Sequence, residues 1–276
     1  MISGTTEIIA HLGYPTTSFK APLIYNPYFE QIGVDAVVIP MGCKAADYPA
    51  FLKLVFRLSN IRGALITMPH KITTLHLLDE ASVNAKVAGS CNAVRLGPDG
   101  KLVGDMFDGE GFMRGLKRKG KEISGARVLM VGAGGVGSAI AASFAAAGAG
   151  VIALHDENAE TLEGLRARLN IYYPDIDVLQ GSTDPSNFDI VVNATPLGMK
   201  RNDPLPLDVS RLSPSTFVGE VVMSEEITPF LAAARSRGCE YQVGKDMLFE
   251  QIPAYLQFFG LPTTTAENLR AIAHDI

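Results

Sequence analysis

The chain has no tryptophan and only three cysteines among its 276 residues. Cys43, Cys91 and Cys239 stand at no paired spacing, which excludes a disulfide framework and a zinc-ligand pattern. They read as small buried thiols in a reducing cytoplasm. Basic charge is scarce as well: 24 Lys and Arg face 29 Asp and Glu, for a net charge of −5. That removes the electrostatic footprint expected for nucleic-acid or anionic-membrane partners. No apolar stretch is both long enough and free of turn residues to span a bilayer, since glycines interrupt the apolar run over 128–150. Residues 1–10 lack a basic start followed by a long apolar run, so no secretory signal is expected. There is no internal repeat. His11, His76, His155 and His274 show no metal-binding spacing, His70 reads as a helix-start residue, and no metal is implied.

What is present is ample apolar material, 47% hydrophobic against 19% charged, in a length that suits one large domain or two ordinary ones. Short apolar runs alternate with helix-period segments throughout. Strands are expected over 7–11, 36–40, 64–67, 128–131, 151–155, 190–193, 217–222 and 240–243. Helices are expected over 22–32, 48–59, 111–118, 136–148, 159–169, 228–238, 247–259 and 265–273, the last opened by a capping box of Thr264 and Glu267. Such alternation predicts an α/β fold of mostly parallel sheets covered by helices. The glycines at 100, 104 and 109 mark a break. The expected organisation is an N-terminal α/β domain to about Phe107 and a nucleotide domain to about Val243. Composition alone leaves the last two helices on either one.

The strongest motif begins near mid-chain. A buried strand, Arg127 to Val131, runs into Gly132-Ala133-Gly134-Gly135-Val136-Gly137 and then an alanine-rich helix. This is the G-x-G-x-x-G dinucleotide fingerprint in its strand-turn-helix setting. The first glycine allows the tight turn, the second lets backbone approach a pyrophosphate, and the third lets helix and strand pack. Free N–H groups at the helix start then face the phosphates. The next strand ends at Asp156-Glu157. A carboxylate there accepts from an adenosine ribose and repels a 2′-phosphate, so NAD is favoured over NADP. Asp156 could equally be the N-cap of the following helix. Further on, the strand ending at Asn193 leads into Ala194-Thr195-Pro196, placing Asn193 and Thr195 on the expected nicotinamide side.

A dehydrogenase acting on an alcohol needs a proton acceptor near the nicotinamide. The first half offers Thr67-Met68-Pro69-His70-Lys71, a strand end that presents a lysine at the start of a helix. The helix dipole disfavours a cation there, which invites a functional reading. Asp105, Asp108 and Glu110 follow in a glycine-rich stretch. A lysine facing an aspartate is held charged and oriented for proton transfer.

These segments together resemble the shikimate/quinate dehydrogenase family, over nearly the whole chain and in the family's order. Residues 13–22 are similar to its N-terminal substrate loop, 67–71 to its catalytic-lysine segment, and 89–93 to its G-A-x-N-T segment. Residues 104–111 are similar to G-x-N-T-D-x-x-G, 193–199 to N-A-T-x-x-G-M, and 244–251 to G-x-x-M-L-x-x-Q. The resemblance implies a substrate domain over 1–107 completed by helices in 244–276, and a doubly wound Rossmann domain over 108–243. It implies Lys71 and Asp108 as the catalytic pair, with Thr67, Asn92 and Gln251 on the substrate in a cleft between the domains. Gly132, Gly134, Gly135, Val136, Gly137, Asp156, Asn193, Thr195, Met223 and Gly244 are implied along the cofactor, NAD or NADP. A small-molecule substrate and a monomer or homodimer are expected.

The chain also departs from the family pattern. Phe19 and Ala21 occupy the places of two serines that bind the substrate carboxylate, with Ser18, Thr17 and Thr16 just upstream as replacements if the loop shifts register. Met223 replaces a tyrosine, Glu220 an aspartate, and Phe107 the threonine before the catalytic aspartate. Each buried donor lost costs about 1–3 kcal/mol. The expectation is hydride-transfer chemistry on shikimate, quinate or a related cyclic hydroxy acid, or on one less polar at its carboxylate end. The alternative is a non-catalytic NAD-binding homologue.

Overall fold

The computed structural model describes residues 2–273, so His274 lies outside the described residues. The chain divides into two units. The first comprises Met1–Lys86, Ser90–Phe107 and Ile252–Ile276; the second comprises Val87–Gly89 and Asp108–Gln251.

The first unit is built on β1 (Glu7–Gly13), α1 (Pro22–Ile32), β2 (Ala36–Gly42), α2 (Tyr48–Val55), β3 (Ile61–Ile66), α3 (Lys71–Leu75), β4 (Glu80–Ala81), α4 (Val83–Ala88), β5 (Ala93–Leu96) and β6 (Leu102–Asp105). Its sheet runs β2-β1-β3-β5-β6-β4. β1 pairs in parallel with β2 and β3, but β5 pairs antiparallel with both β3 and β6. β4 pairs in parallel with β6, so three of the five pairings are parallel and β5 is the antiparallel strand within a parallel-rich sheet. The chain passes from the first unit to the second at Phe107 and Asp108, and the glycines at 100 and 104 lie just before that point inside the first unit. Gly100, at φ +78°, closes the β5–β6 hairpin, where Gly97 N–H donates to the Lys101 carbonyl at 2.8 Å. Gly104 lies inside β6, where a Cβ would meet Leu78 Cδ1 at 2.4 Å and Cys91 Sγ at 2.7 Å. These short strands are interrupted by Arg95 and Gly104 rather than being unbroken apolar runs, so their glycines read as punctuation. Ala10, Leu12, Leu52, Ile66, Cys91 and Val94 fill one core of this unit.

The second unit contains α5 (Asp108–Arg118), β7 (Arg127–Val131), α6 (Gly135–Ala146), β8 (Val151–His155), α7 (Ala159–Tyr172), β9 (Asp177–Gln180), β10 (Ile190–Asn193), β11 (Phe217–Glu220), α8 (Pro229–Ser236) and β12 (Tyr241–Gln242). Its sheet, β12-β11-β10-β7-β8-β9, is parallel at every pairing. The two faces are covered by separate cores, one around Phe112, Met130, Ile140 and Phe144, the other around Leu129, Val191, Phe230 and Leu231. Each such side chain contributes about 1.5–3 kcal/mol on full burial. The helices α5 and α6 approach closely because Gly109 has no Cβ; one there would meet the Ala139 carbonyl at 2.1 Å.

The helix α9 (Gly244–Phe258) runs through the division between the units, and α10 (Ala266–Ile272) closes the described chain. The cap of α10 is Thr265, one residue later than the sequence suggests. Its hydroxyl accepts from Asn268 N–H at 3.2 Å, while Thr264 Oγ1 accepts from the Asn268 side chain. Among the described residues, no helix is long and apolar enough to cross a membrane.

Candidate active site

In the first unit, the loops that leave the carboxyl ends of the strands are stapled together by backbone bonds. Thr67 N–H donates to the Leu12 carbonyl at 2.9 Å, Tyr14 N–H to Met68 at 3.0 Å, and Cys43 N–H to Gly13 at 3.1 Å. Thr67 is half-buried, and its carbonyl accepts from His70 N–H at 2.9 Å to start α3. His70 is the N-cap residue of α3, though its side chain does not cap. The ring bonds instead through Nε2 to the Cys43 carbonyl at 2.8 Å and stacks on Tyr48 at 3.8 Å. Burial lowers its pKa. This explains a histidine that needs no catalytic role: it locks the loop that presents Lys71.

Lys71 is half-buried at the first position of α3, and its carbonyl accepts from Cys91 N–H at 2.9 Å. Asn92 is fully buried next to that bond. Its carbonyl accepts from Ile66 N–H at 2.8 Å, its N–H donates to Asp105 at 3.0 Å, and its side-chain oxygen accepts from Phe107 N–H at 2.9 Å. Asp105 in turn takes the Ser82 hydroxyl and Met106 N–H on one carboxylate oxygen. Thr67, Lys71 and Asn92 thus hang from one set of strand ends.

The substrate-loop positions behave differently from one another. Ser18 is exposed in a short 3₁₀ turn, Thr16–Ser18. Phe19, half-buried, turns inward and stacks on His11 with centroids 4.0 Å apart. Ala21 is the N-cap residue of α1 and offers no side-chain cap. His11 is a buried polar residue beside these segments to which the sequence reading gave no role. Its signal was present: one polar residue in the apolar run of β1. It is 8% exposed, and Nδ1 has no hydrogen-bond partner. Burial, with Lys71's charge second, lowers its pKa to about 4.

In the second unit, Gly132 sits at φ +104°, a conformation open to glycine, with its N–H on the His155 carbonyl at 2.8 Å. A Cβ on Gly137 would lie 2.0 Å from the Gly132 carbonyl. Gly134 is the exposed N-cap of α6, and a Cβ there would meet nothing within 4 Å. Two glycines therefore answer to packing, while Gly134 leaves open space at the start of a helix, with Gly135 and Val136 in its first turn. First-turn amides have no intrahelical acceptor, so the loop is suited to a pyrophosphate. Asp156 is not the cap of α7; Asn158 is, accepting from Thr161 N–H at 3.0 Å. One Asp156 oxygen instead accepts Ala133 N–H at 2.6 Å, and the other accepts Asn158 N–H at 2.8 Å. That draws the end of β8 onto the glycine loop.

The amide of Asn193, fully buried, spends its bonding capacity inside its own loop. It donates to Leu197 carbonyl at 3.0 Å and Glu220 at 2.7 Å, and accepts from Thr195 N–H at 3.1 Å and Thr195 Oγ1 at 2.7 Å. Glu220, fully buried, also takes the Thr228 hydroxyl that caps α8. Burial raises its pKa, against those two hydrogen bonds. Met223 is exposed, and Gly244 is buried with its Cβ position 2.1 Å from Val222 carbonyl. Asp108, 3% exposed, opens α5, where the helix dipole favours an anion. Gln251 is 8% exposed on α9, with Oε1 lacking a hydrogen-bond partner. Among the described residues, no group of three or more His, Cys, Asp or Glu could hold a metal.

Comparison with known proteins follows the same division. Residues 12–94 match the family model of the shikimate dehydrogenase substrate binding domain, and residues 112–169 match the ThiF family. Shikimate dehydrogenase (NADP(+)) of Acidiphilium cryptum is 31% identical over 278 residues, covering 100% of this chain and 99% of that one. The chain belongs to the shikimate dehydrogenase family. Shikimate 5-dehydrogenase of Listeria monocytogenes, solved with shikimate and NAD, superposes at a TM-score of 0.91 with 26% identity, covering 99% and 98% of the two chains. The ligand-free 5-ketofructose reductase of a Gluconobacter strain superposes at 0.88, also with 26% identity, covering 98% and 99%. Membership of the shikimate dehydrogenase family accounts for a substrate-domain sheet joined to a Rossmann-like unit. It does not account for the stacked Phe19 and His11.

Proposed function

We propose that the protein is a nicotinamide-dependent oxidoreductase that interconverts a ring hydroxyl and a ketone on shikimate, quinate or a related polyhydroxylated ring. The observation that carries this reading is the bond network holding Lys71 and Asn92 at one strand end of the substrate unit, in a chain of this family. The relatives named for shikimate support the ring substrate; the one named for 5-ketofructose supports a family pocket that also accepts uncharged sugars.

Lys71 and Asp108 are the proposed catalytic pair. In the oxidation direction Lys71 Nζ takes the hydroxyl proton as the carbon loses hydride; in reduction it returns that proton to the carbonyl oxygen. Asn92, Thr67 and Gln251 hold substrate hydroxyls. Gly134, Gly135 and Val136 hold a dinucleotide pyrophosphate, and a bound nicotinamide supplies the hydride acceptor or donor. Asn193 acts by shaping its loop, with Thr195, Met223 and Gly244 alongside.

NAD is the proposed cofactor. The support is a carboxylate at Asp156, already drawn to the glycine loop, followed by Glu157 rather than a basic residue. The NAD bound to the Listeria enzyme is in keeping with it, while the curated relatives are named for NADP(+). Initial rates with shikimate and quinate, each against NAD and NADP, test the reading together with Lys71→Ala. Turnover lost by at least a hundredfold in the variant is expected. Full activity without the lysine would remove it from the chemistry.

A further inference from the structure

The reading above leaves His11 and Phe19 without a role. A buried ring nitrogen with no partner is destabilising, and a chain keeps such a group where something else satisfies it. His11 lies on β1 two residues before Gly13, on the segment whose Leu12 carbonyl carries Thr67 N–H. Lys71's charge reaches it, so the ring stands in the neighbourhood of the proposed catalytic amine. Phe19 covers one face of the ring at 4.0 Å, with the planes 27° apart. A Cβ on Gly13 would be only 2.8 Å from the Phe19 ring and 2.4 Å from Thr67 Cγ2, so Phe19, Thr67 and His11 crowd one small volume.

Apart from Lys71, which the proposed chemistry uses, this arrangement offers an anion no positive charge. Phe19 and Ala21 carry no donors, and the face of an aromatic ring is its negative side. His11 is held neutral by its burial and by Lys71, so it adds no charge. A neutral imidazole nitrogen suits a hydroxyl, as acceptor or donor according to its tautomer.

We propose that His11 is a specificity-determining residue whose Nδ1 binds a neutral hydroxyl of the substrate beneath Phe19, so that the preferred substrate is a polyhydroxylated ring without a carboxylate. The inference rests on the dehydrogenase reading and narrows its substrate class.

The test is a matched pair of substrates: shikimate, and its analogue with a hydroxymethyl group in place of the carboxylate. Both are assayed with NAD and NADP on the wild type, His11→Leu and Phe19→Ser. The wild type is expected to favour the uncharged analogue at least tenfold in kcat/KM. His11→Leu is expected to erase that preference by raising KM for the analogue while kcat holds, and Phe19→Ser to shift preference toward shikimate. A wild type that favours shikimate, or an unchanged KM in His11→Leu, overturns the inference while leaving the dehydrogenase reading in place. Absence of turnover on both compounds defeats that reading instead. The inference is then decided by the ¹⁵N resonance of His11 Nδ1, assigned by its loss in His11→Leu. A shift on adding the analogue but not shikimate supports it, and no shift overturns it.

Discussion

Replacing His11 by leucine should remove an acid lability from the fold. His11 is 8% exposed and its pKa falls from 6.5 to about 4, mainly because burial penalises the imidazolium and secondarily because Lys71 repels it. Between those two values the unfolded chain binds a proton that the folded chain does not. Stability linked to His11 is therefore full above about pH 6.5, falls as the pH drops, and is gone below about pH 4. At about 1.4 kcal/mol per unit, the shift amounts to about 3 kcal/mol across the window. Leucine cannot titrate and suits the apolar surroundings, and it leaves no unpartnered nitrogen, so no loss is expected at pH 7.5. The assay is the urea midpoint of wild type and His11→Leu at several pH values from 7.5 to 4, together with the His11 ring resonance followed over the same range. Expected are equal or slightly higher stability of the variant at pH 7.5 and a gap of about 3 kcal/mol in its favour near pH 4. Parallel pH profiles for the two proteins, or a His11 resonance that titrates near 6.5, would refute the reasoning.

Asp156→Ser should shift the ratio of NADH to NADPH dissociation constants by about tenfold toward NADPH, since a charge pair near a protein surface is largely screened. Cofactor fluorescence measures this without interference in a chain that has no tryptophan. An unchanged ratio would mean that Asp156 serves only to tie the glycine loop to β8. Gly137→Ala puts a Cβ 2.0 Å from the Gly132 carbonyl, a backbone atom that cannot step aside. A loss of about 1–3 kcal/mol in unfolding free energy and of dinucleotide binding by calorimetry is expected. Glu220 has a raised pKa, so the folded state holds a proton that the unfolded state gives up, and stability falls as pH rises from about 4.5 through the folded value. Glu220→Gln should flatten that slope in denaturation curves; a slope equal to the wild type would contradict it.

Much of the second unit was legible because β7, β8 and β10 are unbroken apolar runs, buried on both faces and followed by clear helix or turn signals. The strands at 151–155 and 190–193 match the sequence reading to the residue, and the fingerprint helix begins one residue earlier, at Gly135. The first unit was harder to read. The strands Ala93–Leu96 and Leu102–Asp105 are interrupted by Arg95 and Gly104, and Glu80–Ala81 is only two residues long, so no unbroken apolar run marks them. The early ends of α2, at Val55, and α8, at Ser236, reflect boundaries set by turns rather than by composition. For the site, residue type pointed to Lys71, Asn92 and the glycines. It could not separate Asn158 from Asp156 as the cap, since both side chains are good acceptors and only backbone geometry decides. Nor could it show which buried polar groups are already satisfied.

That last property sorts structural from ligand-directed residues better than identity does. Asn193 and Glu220 are fully buried at the ends of β10 and β11, the positions where a doubly wound sheet places ligands. Yet each is bonded inside the protein, Asn193 to Thr195, Leu197 and Glu220, and Glu220 to Thr228. Their removal should loosen a loop before it weakens any ligand. His11 Nδ1, Ser90 Oγ and Gln251 Oε1 are buried with no hydrogen-bond partner. Each sits within or beside a segment that carries a proposed substrate residue: His11 before Thr67's partner strand end, Ser90 two residues before Asn92, and Gln251 itself. A fold that satisfies Asn193 so fully has the means to satisfy these as well. Leaving them open has a cost in the empty protein and a return on binding, because a hydroxyl that meets such a group removes the desolvation penalty along with making the bond. A polyhydroxylated substrate can supply such hydroxyls, so under the proposed function these three orphaned atoms would help to select what the protein acts on.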